Sequence, residues 1–428
     1  MHVCVVGMGY VGLPTALMLA LGGHEVTGAD INEGLIERLT AGGFHSPEPG
    51  LSDLYKTAMA AGHIQFVDRP VSADVYILAL PTPVTSEGTA DLSAIYHVVS
   101  EIRPFVKKGT LVVLESTVPP GTTEHLRTLV GKPQVLCAHV PERVLPGNLV
   151  NELVQNGRIV GGLSEAATEA TVRLYRSFVQ GEISITDART AEMAKLMENT
   201  YRDVNIALAN EFARVGHRLG ISVRTAIALA NKHPRVNILQ PGLGVGGHCI
   251  AVDPWFIVEK APEEAALIRQ ARIVNDSQPI FVSDVLTERL DRPLLGCRVA
   301  VLGLAYKGDV NDSRESPSEV LLNRLESLGA VVRVNDPLIA EWKVWRSEPL
   351  DELLPWADAI VVATGHSVYR NLGSNLIGMV RRNAVVVDAP GVLETRRWEE
   401  LGLNVSVLGD TLVGINRDWF EGVREAEV

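Results

Sequence analysis

One cysteine of this sequence lies in a segment suited to exposing a nucleophile. Cys249 follows the glycines of PGLGVGGHCIAVDPWF, residues 241–256, and Asp253 comes four residues later. A thiolate there can attack an aldehyde, and loss of hydride followed by hydrolysis then yields an acid. Two alternatives stay open. Cys249 could be a buried free cysteine, or a metal could bind His248, Cys249 and Asp253, although adjacent His and Cys side chains converge poorly on one ion.

Four further polar residues have the types and positions that acid-base chemistry needs. Lys195 and Asn199 are four residues apart, which places them on one face of a helix. There they could stabilise an oxyanion, with a solvated helix face as the alternative. Thr117 in ESTVPPG and Glu142 in HVPERVLPG follow predicted strands, where ligands of parallel sheets gather. Glu142 is a candidate general base, and a helix cap or surface carboxylate is the alternative.

A dinucleotide-binding pattern opens the chain. Gly7, Gly9 and Gly12 form GxGxxG between an apolar strand and a helix, where glycines permit a tight turn and close approach of a pyrophosphate. Asp30 ends the next strand, where its carboxylate can accept hydrogen bonds from a ribose. That charge would repel a 2'-phosphate, so the pattern favours NAD over NADP. A glycine turn without a cofactor is the alternative.

A second glycine loop, GLAYKG at residues 303–308, differs from the first in its chemistry. Ala305 replaces the middle glycine, Lys307 adds a cation, and Arg314 in DVNDSRESPS adds another. Backbone access for a dinucleotide is therefore poorer, and the cations predict a different phosphate ligand. The alternative is that both cations are ordinary surface residues.

These motifs need strands and helices to position them. The residues after 293 repeat the pattern of the first part, because ADVYILALPTP is echoed by ADAIVVATGH and LVVLESTVPPG by AVVVDAPGV. Apolar residues at helical spacing predict one long helix over 187–219. The fold class is thus α/β, with two doubly wound Rossmann-like domains joined by a central long helix or helical domain. The predicted strands are Val3–Val6, Glu25–Ala29, Val75–Leu80, Leu111–Leu114, Arg298–Leu302 and Val331–Val334.

Composition excludes several classes of partner. A net charge of -12 argues against nucleic acid and anionic membranes, and 46% hydrophobic with 21% charged residues indicates a globular protein. The cysteines form no CxxC pair, which fits a reducing cytoplasm and predicts no metal. The apolar N-terminus lacks a basic leader, and no stretch is long and apolar enough to span a membrane. The long helix carries an apolar stripe that predicts a homodimer or higher homo-oligomer.

Seven motifs taken in order resemble the UDP-glucose/GDP-mannose dehydrogenase family across nearly the whole chain. The resemblance implies a two-step, four-electron oxidation of a nucleotide sugar's C6 alcohol to a uronate, with two NAD molecules and one active-site cysteine. It also implies an NAD-binding domain at 1–186, a helical dimerisation domain with the cysteine loop at 187–290, and a UDP-sugar-binding domain at 291–428. The motifs are GMGYVGLP, the terminal Asp30, ESTVPPG, PERVLPG, AEMAKLMENTYRDVNIALANE, GVGGHCIAVDPW and GLAYKGDVNDSRESPS.

The same resemblance implies roles for individual residues. Cys249 takes the nucleophile position, Lys195 and Asn199 stabilise the oxyanion, Asp253 assists with Lys195 and water, Glu142 is the acid-base residue, and Thr117 lies near the nicotinamide. Lys307 contacts the sugar nucleotide, Arg314 reaches the NAD, and Arg235 is supplied to the neighbour's substrate, although its spacing to the cysteine differs from the UDP-glucose branch. The implied cofactor residues are Gly7, Gly9, Tyr10, Val11, Gly12, Asp30, Thr82, Thr117 and Arg314. The implied substrate residues are Glu142, Arg143, Val144, Lys195, Asn199, Arg235, Gly246 and Lys307.

Within the family, the sequence is similar to the UDP-N-acetyl-D-mannosamine dehydrogenase branch. The UDP-glucose branch usually has Phe-Leu after the glutamate and a lysine before the final aspartate, whereas this chain has Arg143-Val144 and Val252. These changes fall where the sugar ring would be recognised. UDP-N-acetylglucosamine and UDP-glucose remain alternative substrates, and a non-catalytic NAD-binding regulator or scaffold is an alternative from another class.

Overall fold

The computed structural model describes residues 1–46, 48–85, 87–144, 147–403 and 405–410. They form two compact units. The first unit contains residues 1–199 together with 252–265, and the second contains 200–251 together with the described residues from 266 to 410. The three-domain division predicted above places its boundaries elsewhere and stays a prediction.

The first unit is built on an eight-stranded sheet with the order β3-β2-β1-β4-β5-β6-β7-β8. All neighbouring strands are parallel except β6 and β7, which are antiparallel. The strands are β1 His2–Val6, β2 Glu25–Ala29, β3 Ile64–Val67, β4 Val75–Leu78, β5 Leu111–Leu114, β6 Leu136–His139, β7 Arg158–Gly162 and β8 Ile183–Asp187.

Helices connect these strands and cover both faces of the sheet. Val3 and Val5 of β1 belong to one apolar core, whereas Cys4 and Val6 belong to another. Because successive strand residues point to opposite faces, both faces are buried, as parallel sheets require. The helices are α1 Gly12–Leu21, α2 Glu33–Thr40, α3 Leu51–Ala61, α4 Ser93–Ile102, α5 Thr122–Val130, α6 Leu149–Gln155 and α7 Glu165–Tyr175.

The predicted long helix is present as α8, Ala188–Leu219. It begins in the first unit and continues into the second. After α9 (Val223–Ala230) in the second unit, the chain returns to the first unit for α10 (Asp253–Lys260). Helix α11 (Ala266–Leu290) then belongs to the second unit. In the described part of the chain, no helix has the length and apolarity needed to span a membrane.

The second unit has a five-stranded parallel sheet with the order β10-β9-β13-β14-β15 and a separate antiparallel hairpin, β11-β12. Its strands are β9 Arg298–Leu302, β10 Val331–Asn335, β11 Glu341–Trp342, β12 Trp345–Arg346, β13 Ala359–Val362, β14 Val385–Asp388 and β15 Val405–Val407. Its remaining helices are α12 Pro317–Ser327, α13 Leu350–Trp356, α14 Ser367–Arg370, α15 Ser374–Ile377 and α16 Thr395–Glu400.

The two sheets share a strand order that supports the predicted duplication. The order β2-β1-β4-β5 in the first unit corresponds to β10-β9-β13-β14 in the second. The predicted α/β fold with two Rossmann-like sheets and a long helix is confirmed. One strand prediction was too long, because β4 ends at Leu78 and not at Leu80. The backbone N–H of Leu80 donates to Ser116 Oγ instead of continuing the ladder.

Candidate active site

In the first unit, the glycine loop leaves an open backbone surface before α1. Gly7 has φ +97°, a conformation that glycine adopts readily, and a Cβ on Gly12 would lie 1.8 Å from the Gly7 carbonyl oxygen. A Cβ on Gly9, in contrast, would have no other heavy atom within 4 Å. The N-cap Val11 makes no side-chain capping bond. Because Leu13 N–H donates to the Gly9 carbonyl at 3.3 Å and Pro14 has no N–H, an anion would use the backbone N–H groups of the loop before Leu13. Tyr10 is 39% exposed beside them.

Asp30 is held at the end of β2 by two backbone donors. The N–H of Met8 donates to Oδ2 at 2.8 Å, and the N–H of Asn32 donates to Oδ1 at 2.9 Å. Each carboxylate oxygen keeps a second lone pair, so the half-buried side chain can still accept from ribose hydroxyls.

The loops after β4 and β5 are joined by a hydrogen bond between two predicted cofactor residues. Thr82 Oγ1 donates to the carbonyl oxygen of Thr117 at 2.7 Å. Since β4 and β5 are parallel neighbours, these loops lie at the same edge of the sheet as the glycine loop after β1. The backbone of Thr117 is therefore fixed, and its hydroxyl is not needed for that contact.

Two residues of the loop after β6 make ion pairs with α8. Lys195 Nζ lies 3.8 Å from Glu142 Oε2, and both side chains are largely buried. One turn further along the helix, Glu198 accepts from Arg143 Nη2 at 2.6 Å. Glu142 also accepts from the backbone N–H of Val144. The loop predicted to recognise the sugar is thus attached to the helix that carries the predicted oxyanion-stabilising residues.

Asn199, on the same face of α8 as Lys195, forms a second buried pair with Asp253 of α10. Asn199 Nδ2 donates to Asp253 Oδ2 at 2.6 Å, and Asp253, the first residue of α10, is 2% exposed. Burial raises the pKa of Asp253 to about 7, although the Asn199 hydrogen bond and the charge of Lys195 oppose the shift. A carboxyl group with this pKa exchanges protons readily near neutral pH, which suits acid-base work.

In the second unit, Cys249 is exposed, whereas Cys4, Cys137 and Cys297 are buried. This removes the alternative of a buried structural cysteine. The preceding glycines fit closely against the segment around Arg314, because a Cβ on Gly246 would lie 2.4 Å from the Glu315 carbonyl oxygen. The N–H of Gly247 also donates to the Arg314 carbonyl at 3.0 Å.

The predicted cations of the second unit have different surroundings. Arg314 binds Asp312 through two hydrogen bonds, from Nε at 2.8 Å and from Nη2 at 2.6 Å. These bonds, and to a smaller extent the negative charge of a Cys249 thiolate, raise the pKa of Arg314. Lys307 and Arg235 are exposed. Of these three residues, Arg314 is the one placed to stabilise a thiolate electrostatically.

Models of one family match three consecutive parts of the chain. They describe the NAD binding domain (residues 1–179), the central domain (189–277) and the UDP binding domain (300–395) of the UDP-glucose/GDP-mannose dehydrogenase family. The chain belongs to this family. It is therefore an NAD-dependent UDP-sugar dehydrogenase, an oxidoreductase.

Relatives with assigned names are similar over nearly their whole length. UDP-N-acetyl-D-mannosamine dehydrogenase of Methanocaldococcus jannaschii is 44% identical, covering 96% of both chains. NDP-N-acetyl-D-galactosaminuronic acid dehydrogenase of Ralstonia nicotianae is 41% identical over 92% of this chain and 97% of that protein. The solved structure of UDP-D-ManNAc dehydrogenase from Pyrococcus horikoshii is 40% identical with a TM-score of 0.88, covering 96% of this dehydrogenase and all of that chain.

The first unit of the dehydrogenase fits its cofactor. The open surface over Gly9, the uncapped start of α1 and the oriented Asp30 carboxylate suit a pyrophosphate and a ribose. All three lie within the matched NAD binding domain. The predicted preference for NAD therefore has a structural basis in this chain.

Sequence reasoning missed several acidic residues that hold the site together. Glu198 pairs with Arg143, and Glu192 accepts hydrogen bonds from the loop that follows Thr117. A signal was available, since Glu192, Lys195 and Asn199 are spaced i, i+3 and i+7 along one helix face. Their partners lie 53 or more residues away in sequence, so the pattern alone could not reveal them.

Proposed function

We propose that the enzyme oxidises the C6 alcohol of UDP-N-acetyl-D-mannosamine to the carboxylate of UDP-N-acetyl-D-mannosaminuronate in two steps. The observation that carries the chemistry is the buried cluster of Lys195, Glu142, Asn199 and Asp253, which combines a cation, an amide donor and two carboxyl groups. Bound NAD supplies the hydride acceptor for each oxidation, held by Gly7, Gly9, Gly12 and Asp30.

In the first oxidation, the C6 hydroxyl loses its proton and C6 loses a hydride, giving an aldehyde. Lys195 and Asn199 stabilise the negative charge that develops on the oxygen. The raised pKa of Asp253 lets that residue take part in proton transfer near neutral pH, and Glu142 is held 3.8 Å from Lys195 as a second carboxylate.

In the second oxidation, the Cys249 thiolate attacks the aldehyde and forms a thiohemiacetal. Loss of a second hydride converts it into a thioester, and water releases the carboxylate and regenerates the thiol. Exposure of Cys249 and its position in a segment next to Arg314 support this role. The complete reaction consumes one water and transfers two hydrides per sugar.

The proposed sugar carries a 2-acetamido group. The names of the relatives at 44% and 41% identity support an N-acetylated hexose, and the Arg143-Val144 pair occupies the loop next to Glu142. The second relative favours a galacto-configured N-acetyl sugar as another candidate. UDP-N-acetylglucosamine and UDP-glucose complete the set of alternatives.

A substrate panel with measured stoichiometry tests this proposal. UDP-N-acetyl-D-mannosamine, UDP-N-acetylgalactosamine, UDP-N-acetylglucosamine and UDP-glucose are each incubated at limiting concentration with excess NAD, and NADH and uronate are quantified. We expect the highest kcat/KM for UDP-N-acetyl-D-mannosamine and about two NADH per sugar, as two hydride transfers require. One NADH per sugar with aldehyde as the end product would contradict the mechanism, and a preference for another sugar would correct the substrate.

We also propose a cytoplasmic homodimer or higher oligomer. On α8, Tyr201, Leu208 and Val215 recur every seven residues and are 67%, 43% and 47% exposed, a stripe that another chain could cover. The four cysteines, all in the described part of the chain, form no disulfide with one another, which fits a reducing compartment. Light scattering tests the assembly, because a strict monomer at working concentration contradicts it.

A further inference from the structure

Glu192 is a buried carboxylate whose partners lie far away in sequence. It is 1% exposed on α8. Its Oε2 accepts from the N–H of Gly121 at 2.6 Å, and its Oε1 accepts from the N–H and hydroxyl of Thr123 at 2.7 and 2.6 Å. Burial raises the pKa of Glu192, and the hydrogen bonds from Thr123 and Gly121 oppose the shift. Three donors compensate for much of the cost of burying the acid.

These donors belong to the beginning of α5, which has no cap of its own. Its N-cap is Gly121, with φ +94° and no side-chain capping bond. The first N–H groups of a helix lack partners within the helix and need an acceptor. Glu192 supplies that acceptor from a helix about 70 residues further along the chain. The carboxylate therefore joins the start of α5 to α8.

The segment attached in this way carries Thr117. Its other end is fixed by Thr82, which donates to the Thr117 carbonyl, and by Ser116, whose Oγ accepts from Leu80 N–H. On α8, Lys195 and Asn199 follow Glu192 by three and seven residues. At 3.6 residues per turn the three side chains leave the helix within about 60° of one another.

We propose that Glu192 is a positioning residue, which fixes the Thr117 segment relative to the helix face that carries Lys195 and Asn199. This rests on the proposed function, because it assumes that these residues act on the substrate. A carboxylate is required, since both of its oxygens accept hydrogen bonds. In Glu192→Gln, one oxygen becomes an amide NH2 that faces a backbone or hydroxyl donor, so the cap is lost on one side.

The test measures steady-state kinetics of Glu192→Gln in the full-length enzyme. We expect kcat to fall about 10- to 100-fold, because small displacements of catalytic groups are costly, while KM and the Kd for NADH change less than about threefold. Hydrogen exchange at Gly121 and Thr123 should accelerate. The matched control is Glu124→Gln, because Glu124 joins the same two helices through an exposed 2.5 Å pair with Arg189. It should change kcat by less than about twofold.

Two results would overturn the positioning role. One is a kcat for Glu192→Gln within twofold of wild type, and the other is an equal loss in the Glu124→Gln control. If Glu192→Gln does not fold, Thr123→Ala is used instead, because it removes the hydroxyl donor and should lower kcat by a smaller factor. Thr123→Ser keeps the hydroxyl and should retain a kcat near that of wild type. A wild-type enzyme without activity on any UDP sugar would instead contradict the proposed function, so the two failures are distinguishable.

Discussion

The two Rossmann-like sheets share a strand order, yet the loops and helix starts that follow their first strands, β1 and β9, differ. In the first unit, α1 begins at Gly12, the last glycine of its loop, and its first turn has no side-chain cap. In the second, α12 begins at Pro317, well beyond Gly308, and Ser316 caps it through a hydrogen bond to Ser318 N–H. Although the topology is shared, the start of α1 has no side-chain cap and is open to an anion, whereas the start of α12 is capped by Ser316.

The acids that end corresponding strands show the same contrast. Asp30 is half-buried and accepts from two backbone N–H groups. Asp336, after β10, is fully buried and accepts from His366 Nε2 and from four backbone N–H groups, those of Leu304, Ala305, Leu338 and Ile339. Because His366 Nδ1 accepts from Asp309 N–H, Nε2 carries the proton that Asp336 accepts. A ligand can use Asp30, whereas Asp336 serves the protein's own loops.

The largest expected effect separates the chemistry from cofactor binding. Cys249→Ser should lower uronate formation by at least about 1,000-fold, because a serine hydroxyl is a poor replacement for a thiolate. The Kd for NADH, measured by fluorescence titration, should stay within about twofold because the first unit supplies that site. Cys297→Ala, at a buried cysteine of the same unit, is the control and should retain turnover. Uronate production near the wild-type rate by Cys249→Ser would remove the covalent mechanism.

The next effect concerns the two glycine loops. Gly12→Ala should weaken NAD binding about 100-fold, equivalent to about 3 kcal/mol, because its Cβ would lie 1.8 Å from the Gly7 carbonyl oxygen. Ala305→Gly, which restores the middle glycine of the pattern in the second loop, should leave the NAD affinity unchanged. Calorimetric titration of both variants measures this. Comparable NAD affinity in Gly12→Ala and wild type would show that the first loop is not the pyrophosphate site.

A smaller effect should appear in the pH dependence of stability. Burial alone would raise the pKa of Asp336, but hydrogen bonds from His366 and backbone N–H groups lower it to about 2. With a folded pKa below the unfolded value, the ionised carboxylate stabilises the fold above about pH 4, and this stabilisation is lost as pH falls towards 2. It amounts to about 2 kcal/mol. Denaturant unfolding of wild type and Asp336→Asn should differ most near pH 5 and converge at pH 2, and a constant difference would contradict the shift.

The smallest expected effect is at Asp30. Asp30→Asn should weaken NAD binding about tenfold, since an amide accepts ribose hydrogen bonds less well than a carboxylate, and should reduce discrimination against NADP. Asp336→Asn is the matched variant in the second unit and should leave NAD affinity unchanged while lowering the melting temperature. If both variants weaken NAD binding equally, the functional contrast between the two acids is wrong.

Local patterns predicted much of this molecule. The apolar run before GMGYVG, the loop itself and Asp30 are contiguous, so their strand-loop-helix-strand arrangement follows from the order of residues alone. The i,i+4 spacing of Lys195 and Asn199 placed both on one helix face. Two partners of that face, Glu142 and Asp253, were predicted from motifs, but their contacts with Lys195 and Asn199 bring together residues more than 50 positions apart.

By itself, the sequence determined the elements, the internal duplication and the residue types available for chemistry, because periodicity and glycine spacing act over a few residues. Only the tertiary structure decided which acids serve the fold and which can serve a ligand. Asp253, Asp336 and Glu192 are all buried carboxylates, yet the pKa of Asp253 is about 7 and that of Asp336 about 2. At Asp253 burial outweighs the hydrogen bond from Asn199, whereas at Asp336 the hydrogen bonds from His366 and backbone N–H groups outweigh burial. Asn199, His366, Leu304 and Ala305 lie in segments that meet these acids only in the folded chain.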